Sequence, residues 1–204
     1  MPEDESGEMR GAEHRRVQSQ VCSCFPDRWS PRAFTGEPLR RWQVDALLEA
    51  ARWAPSCYNE QPWSFYYALT AEARERLVRL LAPGNREWAA GASMLAVVAV
   101  RRSFKRGGKR NHYSSFDAGA AWMSLALQAR KLGLYAHAMA GFDHDAAYGE
   151  LGLSRQELRI IAAIAVGRRG DSEGLPPSLR KSESPSGRKP LEDVGVELEP
   201  RFRG

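Results

Sequence analysis

The chain has 204 residues, 43% of them hydrophobic and 27% charged, a length that gives one domain a real core and would leave two domains with small ones. Its longest apolar run, 94–100, is far too short to span a bilayer, and the opening MPEDESGEMRGAEHRR lacks the basic start and apolar stretch of a secretory signal, so a cytoplasmic protein with no membrane partner is expected. The formal charge of +5 comes from arginines scattered among acids, which argues against a nucleic-acid partner, and Cys22, Cys24 and Cys57 lack the spacing of a metal site or a disulfide framework.

Residues 1–24 are polar, charged and without apolar period, which predicts a disordered tail ahead of a single domain over 25–204. Leu39, Trp42, Val44, Leu47, Leu48 and Ala51 then recur at helical spacing until Pro55 stops them. The aromatic run 63–68 reads as a strand, and Thr70 caps a helix that ends before Pro83-Gly84. A short helix around Trp88 leads to 94–100, whose unbroken apolar and β-branched character fits a strand buried on both faces. The basic cluster at 101–110 reads as an exposed loop, with a polyanion contact as its alternative. An Ala-rich stretch, 117–132, predicts a core helix stopped by Gly133. Strands are expected at 135–139 and 160–166, with a capping box Ser154-Arg-Gln-Glu157 opening a short helix between them. Beyond Gly167 the chain is rich in Pro, Ser and Gly and forms an extended C-terminal arm. The sum is an α+β domain with a mixed central sheet flanked by helices.

Three separated segments carry candidate chemistry. In Arg28-Trp29-Ser30-Pro31-Arg32-Ala33-Phe34, two planar guanidiniums and a hydroxyl suit a phosphate monoester; a salt-bridged surface loop is the other reading. In Ala54-Pro55-Ser56-Cys57-Tyr58-Asn59-Glu60-Gln61-Pro62-Trp63, two prolines restrict the backbone while Ser56, Asn59 and Gln61 offer the donors and acceptors a flat heterocycle needs; a helix-to-strand turn is the alternative. Nothing beside Cys57 marks it as a nucleophile. The third segment, His137 to Asp143, ends a strand with small residues that would let backbone approach a ring, or is an ordinary glycine turn. His137 reads as a satisfied strand histidine rather than a catalytic acid.

Together these residues resemble the nitroreductase family of flavoproteins. The R-x-S-x-R-x-F start, the A-P-S-x-x-N-x-Q-P-W loop, Asn85-Arg-Glu-Trp88 before a buried strand, Asp117-x-Gly119, Gly141-Phe142-Asp143 and Gly187-Arg188-Lys189-Pro190 fall in the family's order. The resemblance implies FMN as cofactor and NADH or NADPH as electron donor, with ping-pong transfer to a small acceptor such as a nitroaromatic or quinone. It places Arg28, Ser30, Arg32, Arg188 and Lys189 near the phosphate and ribityl oxygens, and Trp29 in the same strip. Pro55, Ser56 and Cys57 would line the ring from a partner subunit in a homodimer, with Asn59 and Gln61 supporting their loop. Asn85 would reach the ring edge, and backbone of Met139, Ala140 and Gly141 would face N5, where the flavin and no side chain does the chemistry. Trp29, Cys57, Trp88 and Ala140 stand where many members carry other, more polar residues, and the short connection between Gly91 and Asp117 leaves little room for a helix over the flavin. The same resemblance admits a flavin enzyme of different reaction (alkene reduction, dehalogenation or oxidation) or a flavin-binding protein with little turnover.

Overall fold

The computed structural model describes residues 11–198. In chain order its main elements are α1 (Cys24–Asp27), α2 (Arg41–Arg52), β1 (Trp63–Ala68), α3 (Ala71–Leu80), α4 (Pro83–Ala89), β2 (Met94–Arg101), α5 (Ser114–Lys131), β3 (Tyr135–Met139), α6 (His144–Leu151), β4 (Leu158–Gly167) and α7 (Pro177–Arg180). The strands form one four-stranded sheet in the order β1-β2-β4-β3.

The α+β class is as expected, but the mixed sheet is not: β1 with β2, β2 with β4 and β4 with β3 are all antiparallel. The misreading has a physical source. Continuous apolar strands suggest parallel pairing because both faces are covered, yet here helices cover both faces of an antiparallel sheet. Successive side chains of β2 alternate between two cores: Leu95, Val97 and Ala99 pack with Leu77, Leu80, Trp88 and Phe142 on the face of α3, α4 and α6, whereas Met94, Ala96 and Val98 pack with Val44, Leu47, Leu125 and Ala129 on the face of α2 and α5. The small residues Ala121, Ala126 and Ala129 let α5 lie close to α2 and the sheet.

Capping chemistry accounts for several of the boundaries. Thr70 Oγ1 accepts from Ala73 N–H at 3.2 Å to start α3, and Gly133 takes φ 68 to end α5. The helix expected after Ser154 is absent; Leu158 N–H closes a turn on Ser154 C=O at 2.9 Å, and β4 begins at once. The real helix in that stretch, α6, is opened by Asp143, whose carboxylate accepts from Ala146 N–H, and stopped by Gly152 at φ 62.

Residues 1–10 of the expected tail lie outside the described residues, but 11–24 are not a disordered tail. Gly11–His14 form a 3-10 turn, Gly11 N–H donates to Asp27 Oδ1 at 3.0 Å, and Arg15 is hydrogen-bonded to three backbone carbonyls. Polar sequence without apolar period is held here by side-chain-to-backbone bonds, which periodicity does not register. No helix among the described residues is long and apolar enough to cross a membrane.

Candidate functional site

Residues 28–34 run as extended chain along the β3 edge. Trp29 is 3% exposed and packs edge-on against Tyr135 at 5.8 Å, beneath the Arg169 guanidinium. The carbonyl of Pro31 lies 2.9 Å from His137 Nδ1, so that nitrogen carries the proton and donates. Buried Glu183 of the C-terminal arm accepts from the N–H groups of Arg32 (2.8 Å) and Ala33 (2.9 Å) through one oxygen, and its second oxygen lies 3.9 Å from Arg32 Nη1. These contacts hold the backbone of the strip and set the Arg32 guanidinium beside Glu183.

Arg28 Nη1 donates to Ser30 Oγ at 3.2 Å. Arg15 Nη1 donates to the carbonyls of Pro26 (2.8 Å) and Arg28 (2.6 Å), and its Nε to that of Ser186 (2.9 Å), so one side chain ties the strip to the segment before Arg188. Burial, then the charges of Arg15 and Arg188, push the Arg28 pKa below its ordinary value; Arg15 is lowered by burial and Arg188 despite Asp27. Burial, with Arg32 and Arg28 adding to it, lowers His137 from 6.5 to about 4. His137 is therefore a neutral donor at pH 7. The cluster holds more positive than negative charge, and a phosphate dianion would relieve that repulsion. Trp29 Nε1 and Arg169 Nε are buried without partners beside it. A cleft of about 740 Å³ between the N-terminal segment and the C-terminal arm has Arg188 and Lys189 on its wall.

The loop before β1 is organised differently. Tyr58, Asn59 and Gln61 adopt φ of 53, 55 and 46, a region that costs non-glycine residues about 1 kcal/mol or more each. The strain is held by local bonds: Gln61 N–H to Ser56 Oγ (3.0 Å), and the Gln61 amide to Asn59 C=O (2.9 Å) and Oδ1 (3.0 Å). Cys57 N–H donates to buried Asp117 Oδ2 at 3.2 Å, pinning the loop to α5. Pro55 and Tyr58 are exposed, and Cys57 is half-buried.

At the end of β3, Met139 is buried and Ala140 exposed. Asn85 Nδ2 donates to Gly141 C=O at 2.8 Å, and a Cβ at Gly141 would stand 2.9 Å from that nitrogen, so only glycine fits without displacing Asn85. Trp88 lies beneath, 4.6 Å from the His137 ring and 6.2 Å from Phe34.

The structure thus sets Arg28 beside Ser30 and within electrostatic reach of Arg188, places Arg32 against Glu183 and joins Asn85 to Gly141, but sets the 55–62 loop apart from the arginine cluster. That loop enters β1 at Trp63, opposite Val100 at one end of β2; the strip lies along β3, whose Tyr135 opposes Gly167 next to the Val166–Met94 pair at the other end. Across the sheet the two edge strands are three spacings apart, about 14 Å, and along β2 the two levels differ by about 20 Å. Arg15 and Glu183 were not among the candidates read from sequence: each is one charged residue among several in a polar stretch, bonded to backbone that no local pattern marks as its partner.

The family model described as Nitroreductase family matches residues 26–86 and 79–168. A Streptomyces coelicolor protein named "putative NADH dehydrogenase/NAD(P)H nitroreductase" is 33% identical over 138 residues, 58% of this chain and 68% of its own. A crystal structure described as an oxidoreductase containing FMN is 41% identical with TM-score 0.85, covering 96% of this chain and 100% of that one. A Desulfovibrio desulfuricans structure, described as "a putative nitroreductase in complex with FMN", is 26% identical with TM-score 0.68, covering 90% of this chain and 99% of that one. With more than half of its length matched and the fold shared, the chain belongs to the nitroreductase family.

Proposed function

We propose that the protein is an FMN-dependent oxidoreductase that passes hydride or electrons from NADH or NADPH to a small organic acceptor, such as a nitroaromatic or quinone. The observation that carries this reading is Arg28, bonded to Ser30 and close enough to Arg15 and Arg188 to be repelled by both, a concentration of charge that no described carboxylate offsets in full. The FMN named in the two structural relatives and the NAD(P)H nitroreductase names of the sequence relatives support it. Bound FMN supplies the hydride- and electron-transfer chemistry.

The chain's own residues bind, orient and exclude. Arg28, Ser30, Arg32 and Arg188 would hold the phosphate, with Lys189 beside them, while Trp29 wedges the strip against Tyr135 so that its neighbours face outward. Asn85 fixes the Gly141 carbonyl, leaving the turn after Met139 and Ala140 open to a flat ring. Neutral His137 supports Pro31 and carries no proton to the substrate. Donor and acceptor would use one site in turn, which gives a ping-pong order.

The diagonal placement of cluster and loop supports a homodimer in which Pro55, Ser56 and Cys57 of one subunit complete the site of the other. Trp42, Trp53, Tyr58 and Phe116 are 55%, 73%, 89% and 80% exposed, apolar surface of the kind a second subunit would cover. The test is an absorbance spectrum of purified protein followed by anaerobic titration with NADH and NADPH. Flavin bands that bleach on titration are expected; colourless protein that also ignores added FMN overturns the reading. Parallel double-reciprocal plots would support the ping-pong order, and a flavin-retaining monomer in light scattering would overturn the shared site.

A further inference from the structure

A second cationic pocket lies away from the arginine strip, under the basic loop. Residues 103–110 fold back on themselves, with Ser103 bridged to Arg110 and Phe104 N–H bonded to Lys109 C=O at 2.8 Å. Beneath them Arg102, Arg110, Asn111, His112, Ser114 and Arg159 line a polar cavity of about 60 Å³, several times what one water needs. The cavity opens at the first turn of α5, an 18-residue helix whose leading N–H groups have no intrahelical acceptor.

Asn111 supplies an independent sign of a missing acceptor. It is 4% exposed, and its Oδ1 accepts from Tyr113 N–H at 3.0 Å, which settles the amide orientation and leaves Nδ2 as a buried donor with no partner. Arg102 Nε is held by Leu158 C=O and Arg159 by Ser115 Oγ, and neither these nor Arg110 forms an ion pair with a described carboxylate. Glu60 pairs with Arg101 and Asp117 accepts from Cys57 N–H, while Glu157, whose carbonyl accepts from Arg102 N–H, forms no ion pair with a described residue. Three guanidiniums, a helix start and an unpaired amide donor make a site for an oxyanion, which water would not neutralise.

The pocket is built into the same block as the 55–62 loop. Asp117 lies one helical turn beyond Ser114 and holds Cys57, while Glu60 accepts from Arg101 and from Lys105 N–H. We propose that this pocket binds a phosphoryl group of the nicotinamide dinucleotide while its nicotinamide lies against the Pro55–Cys57 segment. The assignment rests on the reading that a reduced nicotinamide is the electron donor.

The test compares KM for NADH, NADPH and the phosphate-free donor 1-benzyl-1,4-dihydronicotinamide in holoenzyme, for wild type, Arg110→Gln and Lys105→Gln. In Arg110→Gln the ratio of dinucleotide KM to phosphate-free KM should rise about tenfold, the loss of one partly exposed charge-assisted contact. Arg110→Lys should restore part of it, and Lys105→Gln should leave the ratio where it was. A rise for both dinucleotides assigns the pyrophosphate; a rise for NADPH alone assigns the 2′-phosphate. An unchanged ratio in Arg110→Gln, or an equal rise in Lys105→Gln, overturns the proposal. Calorimetric titration with inorganic pyrophosphate reads the pocket without turnover, so it can succeed where the flavin reading fails. Pyrophosphate binding with no change in the KM ratio would mark a free-anion site and overturn the assignment to the donor.

Discussion

The arginine strip at 28–34 and the proline-bracketed loop at 55–62 are both short, conformationally restricted segments, but they are held in different ways. The strip keeps like charges close, and its backbone is fixed by residues remote in the chain: Glu183 reaches Arg32 across 151 positions, and His137 reaches Pro31 across 106. The loop carries few charges, tolerates left-handed backbone at Tyr58, Asn59 and Gln61, and is closed by bonds spanning two to five positions, with Asp117 on Cys57 and Arg101 and Lys105 on Glu60 as its long-range anchors. A charged binding surface needs the whole fold to oppose its self-repulsion. A shaped, nearly neutral one can take its backbone conformation from local bonds and needs distant partners only to place it.

The sharpest way to break this comparison is to remove charge from the strip. In the Arg28→Ala/Arg188→Ala double variant, FMN affinity should fall by about 3–5 kcal/mol, two charge-assisted contacts discounted for the exposure of Arg188. Fluorescence titration checks it, and undiminished affinity would deny the strip its binding role. The apoprotein should lose little stability, because repulsion is relieved.

Acid should distinguish the regions next. The His137 pKa is lowered from 6.5 to about 4 in the fold, so the unfolded chain takes up its proton first. Its contribution is fully present above about pH 6.5 and is lost as pH falls toward 4, up to roughly 3 kcal/mol of stability at 1.4 kcal/mol per unit. Urea unfolding of the apoprotein between those limits should show this slope, and His137→Gln should flatten it; an unaltered slope would show that other groups govern acid sensitivity.

Removing a remote support should cost somewhat less. Glu183→Ala leaves two backbone N–H groups without their acceptor and should destabilise the protein by about 2 kcal/mol while weakening FMN binding, through misplacement of Arg32 rather than loss of a ligand. Glu183→Gln keeps an acceptor oxygen and should recover most of the loss. If the two variants behave alike, the carboxylate charge and not the backbone bonds is what matters. The smallest effect is expected from Ser56→Ala, which deletes the bond closing the loop on Gln61: about 1 kcal/mol in thermal unfolding. A larger loss would mean that the loop depends on distant contacts as the strip does.

Much of the fold was legible in the sequence because its signals are local. The aromatic run at 63–68, the apolar run from Met94 and the short strand at 135–139 declare themselves by composition, and Thr70 and Gly133 by the caps they form. The arginine strip and the proline-bracketed loop were visible as motifs for the same reason. Three things waited for the tertiary structure. The antiparallel order β1-β2-β4-β3 did so because a strand buried on both faces reads alike whatever the direction of its neighbours. The helix α6 was hidden because the sequence pattern of a capping box stands instead at Ser154, where β4 follows too closely for a helix to form. Arg15 and Glu183 were unmarked because one charge among several in a polar stretch acquires a role only when folding delivers its backbone partners, and no spacing along the chain encodes that meeting.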